Sequence, residues 1–211
     1  MSGCVTIRLA TLAMAVLAGF PAALLAQQAT ALDRFLEGLT SWQTQFTQTV
    51  TDSRGRTRPG ESGQLIVQRP GRFRWEIGNA QLMVADGRNL WFLDRDLEQV
   101  TVKPASRALT ATPATLLAGT APLRNQFRLE SEGRRDNLDW VRVTPLSSSA
   151  EFRSARLGFA GLELARMELL DALGQRVTLA FTASRRNAPV DPAALTFKPP
   201  AGADVIGTPL E

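Results

Sequence analysis

Two pairs of acidic residues have a spacing that general acid–base catalysis could use. Asp94/Asp96 and Glu130/Glu132 each stand two positions apart, and a strand places such a pair on one face. Acidic residues on strand surfaces near turns are far commoner than catalytic pairs. The chain of 211 residues contains no His and a single Cys, which excludes Ser-His-Asp triads, Cys-His dyads and His-based metal sites. We therefore expect no enzyme, no cofactor and no metal.

The basic residues do not indicate a nucleic-acid-binding surface. Lys and Arg total 24 against 20 Asp and Glu, a net charge of +4. The two lysines, Lys103 and Lys198, do not form a Ser-x-x-Lys motif. The motif RFRW at 72–75 superficially resembles a base-stacking surface, but the arginines are spread over many predicted strands. A nucleic-acid partner is not expected.

The first 26 residues have the layout of a secretory signal peptide. Arg8 precedes an apolar stretch at 9–26 that ends in a small residue, Ala26. A retained membrane anchor is the alternative, although 18 residues with a Gly and a Pro are marginal for a span. Cleavage after residue 26, or near 29–31, removes Cys4 and leaves an exported, soluble and unanchored domain at 27–211. A lipoprotein would need a Cys at the end of the apolar run.

The remaining sequence alternates in the manner of strands, with two short apolar helices. Thr30 and Asp33 predict a capped helix with an apolar stripe over residues 32–39. Thr112 as a cap, Pro113 at the first position and a closing Gly119 predict a second. About ten or eleven strands are predicted, at 42–50, 64–69, 72–77, 82–85, 90–93, 99–102, 126–130, 138–144, 153–159, 164–170 and 175–181, with a short final one at 195–198. This pattern favours a mainly β fold, a strongly curved open antiparallel sheet with helices over its concave face, rather than a two-sheet sandwich.

Large apolar side chains in adjacent strands could form one wall. This wall would be either an ordinary core or the lining of a cavity for acyl chains, whose burial is worth about 0.8 kcal/mol per CH2. The residues expected in it are Leu65, Val67, Phe73, Trp75, Ile77 and Trp91. The residues expected to cover it from the two helices, as a lid, are Leu32, Phe35, Leu36, Leu39, Leu116 and Leu117.

Four motifs, in order along the chain, resemble the LolA family of periplasmic lipoprotein carriers. They are QRPGRFRW at 68–75, VADGRNLWF at 84–92, TPATLL at 112–117 and DPAALTFKPP at 191–200. The resemblance implies an unclosed half-barrel whose helical lid covers a hydrophobic cavity for lipoprotein acyl chains. It also implies that Arg69 acts as a lid latch by bonding to lid carbonyls. Arg69 follows Leu65 and Val67 on one strand face, and an ordinary surface arginine at a strand end is the alternative.

The resemblance further implies a place in lipoprotein transport. Acylated lipoproteins would be the cargo, an inner-membrane ABC transporter the donor, and the outer-membrane receptor lipoprotein LolB the acceptor, with the carrier a periplasmic monomer. Two alternatives stay open from the sequence. One is an envelope protein of the same fold that senses lipids or lipoproteins, and the other is an exported enzyme.

Overall fold

The structure is a computed structural model that describes residues 28–108, 113–119, 122–148, 150 and 152–211. The expected signal peptide at 1–26, with Cys4, lies outside the described residues, as does Thr112, the expected cap of the second helix. None of the helices in these ranges is long and apolar enough to span a membrane.

Most of the described chain forms strands in which buried and more exposed side chains alternate. In the third strand, Phe73 and Trp75 are buried, whereas Arg72 and Arg74 on the other face are partly exposed. This two-residue period is that of a strand with one apolar face. The strands are β1 (Ser41–Thr51), β2 (Glu61–Gln68), β3 (Arg72–Ile77), β4 (Gln81–Asp86), β5 (Asn89–Asp94), β6 (Gln99–Pro104), β7 (Phe127–Arg135), β8 (Leu138–Pro145), β9 (Phe152–Ala160), β10 (Glu163–Asp171), β11 (Arg176–Arg186) and β12 (Asp204–Ile206).

All twelve strands belong to one sheet, in the order β12-β6-β5-β4-β3-β2-β1-β11-β10-β9-β8-β7. The neighbours are antiparallel except for β12, which pairs in parallel with β6. Within the described ranges β12 and β7 form the two edges, and the sheet does not close between them. The expected mainly β, open antiparallel architecture is confirmed, with twelve strands instead of ten or eleven.

The sheet is strongly curved, because distant strands contribute to one hydrophobic cluster. Phe73 of β3 and Val141 of β8 are both buried in this cluster, although six strand-to-strand steps separate them. In a flat sheet those steps would span about 29 Å. We call the face that bears Leu65, Val67, Phe73 and Trp75 the concave face, and the other face the convex face.

Short helices supplement the sheet. They are α1 (Ala31–Leu36), α2 (Ala105–Ala108) and α3 (Pro113–Ala118), together with 3-10 helices at Leu123–Asn125 and Pro192–Leu195. The helix expected over residues 32–39 therefore ends at Leu36, and Gly38 then takes a φ of +62° that a helix cannot continue. Leu39 is nevertheless buried in the same cluster.

A second hydrophobic cluster lies on part of the convex face, where the C-terminal segment covers it. Residues of β4, β5 and β6 form it, and Phe197 and Ala203 from the C-terminal segment pack against it. The Asn89 side chain adds a reciprocal pair of hydrogen bonds with the backbone of Leu210, at 3.0 and 2.8 Å. The cluster residues are Leu82, Val84, Trp91, Leu93, Val100 and Val102.

The prediction of a strand at 195–198 is wrong. Asp191 accepts a hydrogen bond from the backbone N–H of Ala193 and caps the 3-10 helix Pro192–Leu195. The two prolines at 199 and 200 lack the N–H groups that a strand pair needs. The final strand is instead β12, farther along the chain and exposed throughout.

Gly63 should tolerate no side chain. A Cβ at this position would lie 2.2 Å from the Glu76 carbonyl oxygen and 2.3 Å from the Phe46 ring. We expect Gly63→Ala to lower the free energy of unfolding by about 3 kcal/mol, because neither neighbour can yield freely in a packed sheet. Urea unfolding would measure this, with Gly60→Ala as control, since a Cβ there meets nothing closer than 3.4 Å. Equal effects at the two positions would contradict the packing described.

Asp86 should stabilise the fold in a pH-dependent way. Burial alone would raise the pKa of its carboxyl, but hydrogen bonds from the Asn89 N–H, the Trp91 indole and the Arg88 N–H hold that pKa below its usual range. A folded-state pKa below the unfolded value means that the stabilisation is present above the unfolded pKa of about 3.9. It is lost as the pH falls through the folded value.

We expect Asp86→Asn to cost about 1–2 kcal/mol of unfolding free energy at pH 7, and progressively less below about pH 4. Urea unfolding of variant and wild type at several pH values would measure the difference, with Asp96→Asn at an exposed turn as control. A deficit that grows on acidification would contradict the assignment.

Candidate functional site

The helix α1 covers the concave face from one side. Thr30 and Asp33 form a capping box, in which the Thr30 side chain accepts from the Asp33 N–H and the Asp33 carboxylate accepts from the Thr30 N–H. The cap fixes the first turn. Phe35 is buried, with its ring centroid 5.5 Å from that of Trp42 in β1 and 5.7 Å from that of Phe159 in β9.

The helix α3 covers the concave face from the other side. Leu116 and Leu117 are fully buried and belong to the same cluster as Leu32 and Phe35 of α1. α3 contacts β2 and β3, whereas α1 contacts β8 and β9. Together α1 and α3, which we call the lid helices, fill the space that the curved sheet encloses. All six residues expected in the lid contribute to this cluster, Leu36 as a partly buried member.

Five of the six residues expected in the apolar wall lie on the concave face. Leu65, Val67, Phe73 and Trp75 are buried beneath the lid helices, and Ile77 packs against them while partly exposed. Among the described residues, the indole N–H groups of Trp42 and Trp75 are buried without a hydrogen-bond acceptor. An unpaired buried donor costs about 1–3 kcal/mol, which weakens the closed packing.

Trp91 does not join this wall. In the β4–β5 register Trp91 pairs with Val84, and Ala85 pairs with Leu90. Side chains paired across a ladder share a face, so Trp91 lies with Val84 in the convex cluster, while Ala85 and Leu90 face the lid helices. The expectation for Trp91 is therefore corrected: its ring packs against Phe197, with 5.3 Å between centroids and 42° between the ring planes.

The turn after β2 contacts both lid helices. The Arg69 guanidinium donates from Nη1 to the Leu36 carbonyl of α1 at 3.3 Å, and the Gly71 N–H donates to the Ala118 carbonyl of α3 at 2.7 Å. Burial lowers the pKa of Arg69 from its ordinary high value, but an arginine stays charged at neutral pH. One short turn thus holds the carbonyl ends of both lid helices.

A second arginine, which the sequence reasoning missed, contacts α1 from the opposite side. Arg186 donates from Nη1 to the Phe35 carbonyl and from Nη2 to the Glu37 carbonyl, and its guanidinium carbon lies 5.7 Å from the Phe35 ring centroid. The neighbouring Asn187 donates to the Gly38 carbonyl at 2.9 Å. Arg185 and Arg186 are adjacent in sequence, and only the strand register distinguishes which of them reaches α1.

An ion pair and an open cleft complete the lid region. Arg124, in the 3-10 helix Leu123–Asn125, donates from Nη2 to Asp33 Oδ2 at 2.7 Å. Beside it lies a cleft of about 700 Å³ lined by Leu36, Leu39, Arg69, Pro70, Leu123 and Arg124. The cleft leads from solvent to the edge of the lid, where Arg69 meets α1.

One member of each acidic pair, Asp94 and Glu132, has a structural role. Asp94 accepts hydrogen bonds from the N–H groups of Asp96 and Leu97 and thereby closes the turn after β5, so Asp96 lies in a turn and not on the strand. Glu132 forms ion pairs with Arg142 and Arg156. Burial alone would raise the pKa of Glu132, but the hydrogen bond from Arg142 and the charge of Arg156 lower it below its usual range.

A family model and the similar proteins found by comparison carry the same name, outer-membrane lipoprotein carrier protein. Residues 37–198 match the family model described as "Outer membrane lipoprotein carrier protein LolA". A protein of Dechloromonas aromatica (strain RCB), named outer-membrane lipoprotein carrier protein, is 39% identical over 178 residues, 83% of this chain and 86% of the relative. A Chromobacterium violaceum protein of the same name is 38% identical over 196 residues, 92% of this chain and 94% of the relative.

A solved structure supports the fold alone. The crystal structure of an uncharacterized conserved protein from Thermus thermophilus superposes with a TM-score of 0.50 at 17% identity. The match covers 83% of this chain and 96% of the other.

Asp33 should control local opening of α1. Asp33→Ala keeps the Thr30 cap but removes the carboxylate half of the capping box and the ion pair with Arg124, which together are worth about 1–2 kcal/mol. Trypsin can cleave after Arg34 only when α1 opens, because the next residue, Phe35, is buried. We expect cleavage at Arg34 to accelerate by roughly 5- to 30-fold.

Mass spectrometry of the tryptic fragments would measure the rate at Arg34. Asp136→Ala is the control, since this acid is exposed and its distance to Arg135 is 3.8 Å. Cleavage no faster in Asp33→Ala than in the control would contradict the role of the Asp33 carboxylate.

Proposed function

Because the chain belongs to the LolA family of outer-membrane lipoprotein carriers, we propose that it is a periplasmic carrier whose concave face holds the acyl chains of lipoproteins. It accepts them from the inner membrane and delivers them to the outer membrane. Its work is binding and release, and it belongs to a family of carriers and not of enzymes.

The observation that carries this proposal is the way the concave face is covered. Leu32 and Phe35 of α1 and Leu117 of α3 are buried there with at most 1% exposure. The backbone ends of the same helices are held by hydrogen bonds at their margins. Apolar side chains that fill a pocket, and polar contacts that can be broken at its edge, are what a removable cover requires.

Acyl chains can replace the lid side chains in the cavity, because burying three acyl chains is worth more than burying the four lid side chains. Burying Leu32, Phe35, Leu116 and Leu117 is worth about 6–12 kcal/mol, at 1.5–3 kcal/mol for each side chain. Burial of three acyl chains is worth tens of kcal/mol relative to water. Chains that move from a bilayer to the protein exchange one apolar medium for another and gain little. The cost of opening the lid therefore weakens retention and helps release to the acceptor.

We propose a donor and an acceptor for the cargo, because transfer from a bilayer to the protein gains little free energy by itself. Loading needs external energy, which an inner-membrane ABC transporter would supply as donor. The receptor lipoprotein LolB would accept the cargo at the outer membrane. The carrier would work as a monomer with one cargo molecule, and the unpaired indoles of Trp42 and Trp75 offer hydrogen bonds to ester carbonyls of that cargo.

We further propose that Arg69 is a lid latch. Its hydrogen bond to the Leu36 carbonyl forms only while α1 lies on the sheet, so it stabilises the empty, closed state and not the loaded one. Removing the latch favours the open state and makes the cavity retain its cargo. The latch therefore assists release to the acceptor.

The carrier function is tested by purifying the protein from the periplasm and identifying bound molecules by mass spectrometry. We expect triacylated lipoprotein under conditions in which donor transporter and cargo are expressed together. Recovery of the protein without any acylated lipoprotein under those conditions would overturn the carrier function.

Arg69→Leu should keep the fold and still accept lipoprotein, but should transfer it to the receptor about tenfold less, because the closed state loses a charged hydrogen bond. Transfer of labelled lipoprotein to purified receptor would measure this. Arg95→Leu is the matched control, because Arg95 bonds a carbonyl, that of Asn79 at 3.0 Å, in an exposed turn. Unchanged transfer in Arg69→Leu would remove Arg69 from the mechanism.

A further inference from the structure

Arg186 makes more contacts with the lid helix α1 than Arg69 makes. Its terminal nitrogens Nη1 and Nη2 donate to the carbonyls of Phe35 and Glu37, and the guanidinium group lies against the Phe35 ring. Arg69 donates to one carbonyl, that of Leu36. The latch expected from the sequence is Arg69 alone.

The carbonyls that Arg186 contacts lie at the C-terminal end of α1, where the helix itself provides no N–H donor for them. The last carbonyls of a helix point away from it without a partner in the next turn. α1 has six residues, and helices this short are not stable alone in water. A cation at the carbonyl end also interacts favourably with the helix dipole. Contacts from outside the helix therefore decide whether α1 keeps its conformation on the sheet.

The position of Arg186 in the sheet makes this contact specific. Arg186 pairs with Trp42 in the β1–β11 register, and the Trp42 and Phe35 rings pack in a T-shaped arrangement. The Phe35 ring thus contacts the Trp42 indole and the Arg186 guanidinium. Arg185, one position earlier, has the opposite orientation in the strand and donates to Gln43 instead.

The two arginines reach α1 from opposite sides of β1. The Arg69 N–H donates to the Thr40 carbonyl at 2.8 Å, and the Asn187 N–H donates to the Ser41 carbonyl at 2.8 Å. The ends of β2 and β11 are therefore both tied to the start of β1, where the chain arrives from α1. β2 lies on one side of β1, and β11 lies on the other.

We propose that Arg186 is a second latch, a positioning residue that holds α1 closed together with Arg69. Its contacts depend on the placement of Phe35 in the concave face. When an acyl chain displaces that ring, the Phe35 carbonyl and the ring leave Arg186 together, so occupancy of the cavity is transmitted directly to the latch. The consequence for cargo transfer rests on the proposed carrier function, whereas the effect on lid opening does not.

The test is hydrogen exchange of the α1 backbone amides in the empty, full-length mature protein, followed by mass spectrometry. We compare wild type with Arg186→Met, which keeps the aliphatic stem, Arg186→Lys, which keeps the charge without the fork, and Arg185→Met as matched control. In Arg186→Met we expect the amides of residues 34–37 to exchange at least about tenfold faster, as loss of a hydrogen bond to a charged group predicts. Amides of β9 and β10 should keep their rates.

The remaining variants separate positioning from general stability. Arg186→Lys should fall between wild type and Arg186→Met, because one ammonium cannot bond both carbonyls in the fork geometry. Arg185→Met should match wild type. The proposal is overturned if Arg186→Met stays within twofold of Arg185→Met at residues 34–37, or if it accelerates β9 and β10 as much as α1.

Transfer to the receptor distinguishes this proposal from the carrier function. With both correct, Arg186→Met loads lipoprotein and transfers it about tenfold less than Arg185→Met. Faster exchange of α1 with no lipoprotein bound by any variant, wild type included, would support the latch and overturn the carrier function. Normal transfer by Arg186→Met would show that lid closure does not drive release, and would overturn Arg186 as a latch in transport.

Discussion

A single curved sheet that is apolar on its concave face and on part of its convex face must have both apolar surfaces covered, and the rest of this structure follows from that constraint. A β-sandwich meets it with a second sheet. Here the concave face is covered by α1 and α3, and part of the convex face by the C-terminal segment. The two covers are attached differently. The convex cover is continuous with β12, a hydrogen-bonded strand of the sheet, whereas the lid helices are held mainly by side chains and by a few backbone bonds.

This difference in attachment separates stability from function. The convex cluster contains Trp91 and Phe197 and is tied down by Asp86 and Asn89, which makes it a permanent part of the core. On the concave side, arginine side chains bond the carbonyl end of α1, and each such bond contributes only about 1.5–3 kcal/mol. Unpaired indole donors below the lid weaken the closed packing further. A carrier of acyl chains gains from such a cover, since it protects the cavity without sealing it.

Local patterns predicted eleven of the twelve strands and both lid helices, but not which face every strand presents. Alternation in β3 and the Asp-Gly turn after β4 identify strands and a hairpin, and the Thr30 cap identifies α1. Trp91 was misplaced because its face depends on the Val84–Trp91 register, which the alternation within one strand does not contain. Arg186 was missed for a similar reason, since its partner is a helix 151 residues away in sequence. The family resemblance supplied Arg69, where residue periodicity alone left an ordinary surface arginine as an alternative.

The ion pair between Asp33 and Arg124 links the cap of α1 to the chain that follows α3. α1 cannot move away from the sheet unless this pair breaks or the segment around Arg124 moves with it. The two halves of the cover are thus energetically coupled, and coupled elements tend to change state together instead of one by one. Opening of α1 would then favour movement of the segment after α3, and states with only one half of the cover open would be less populated.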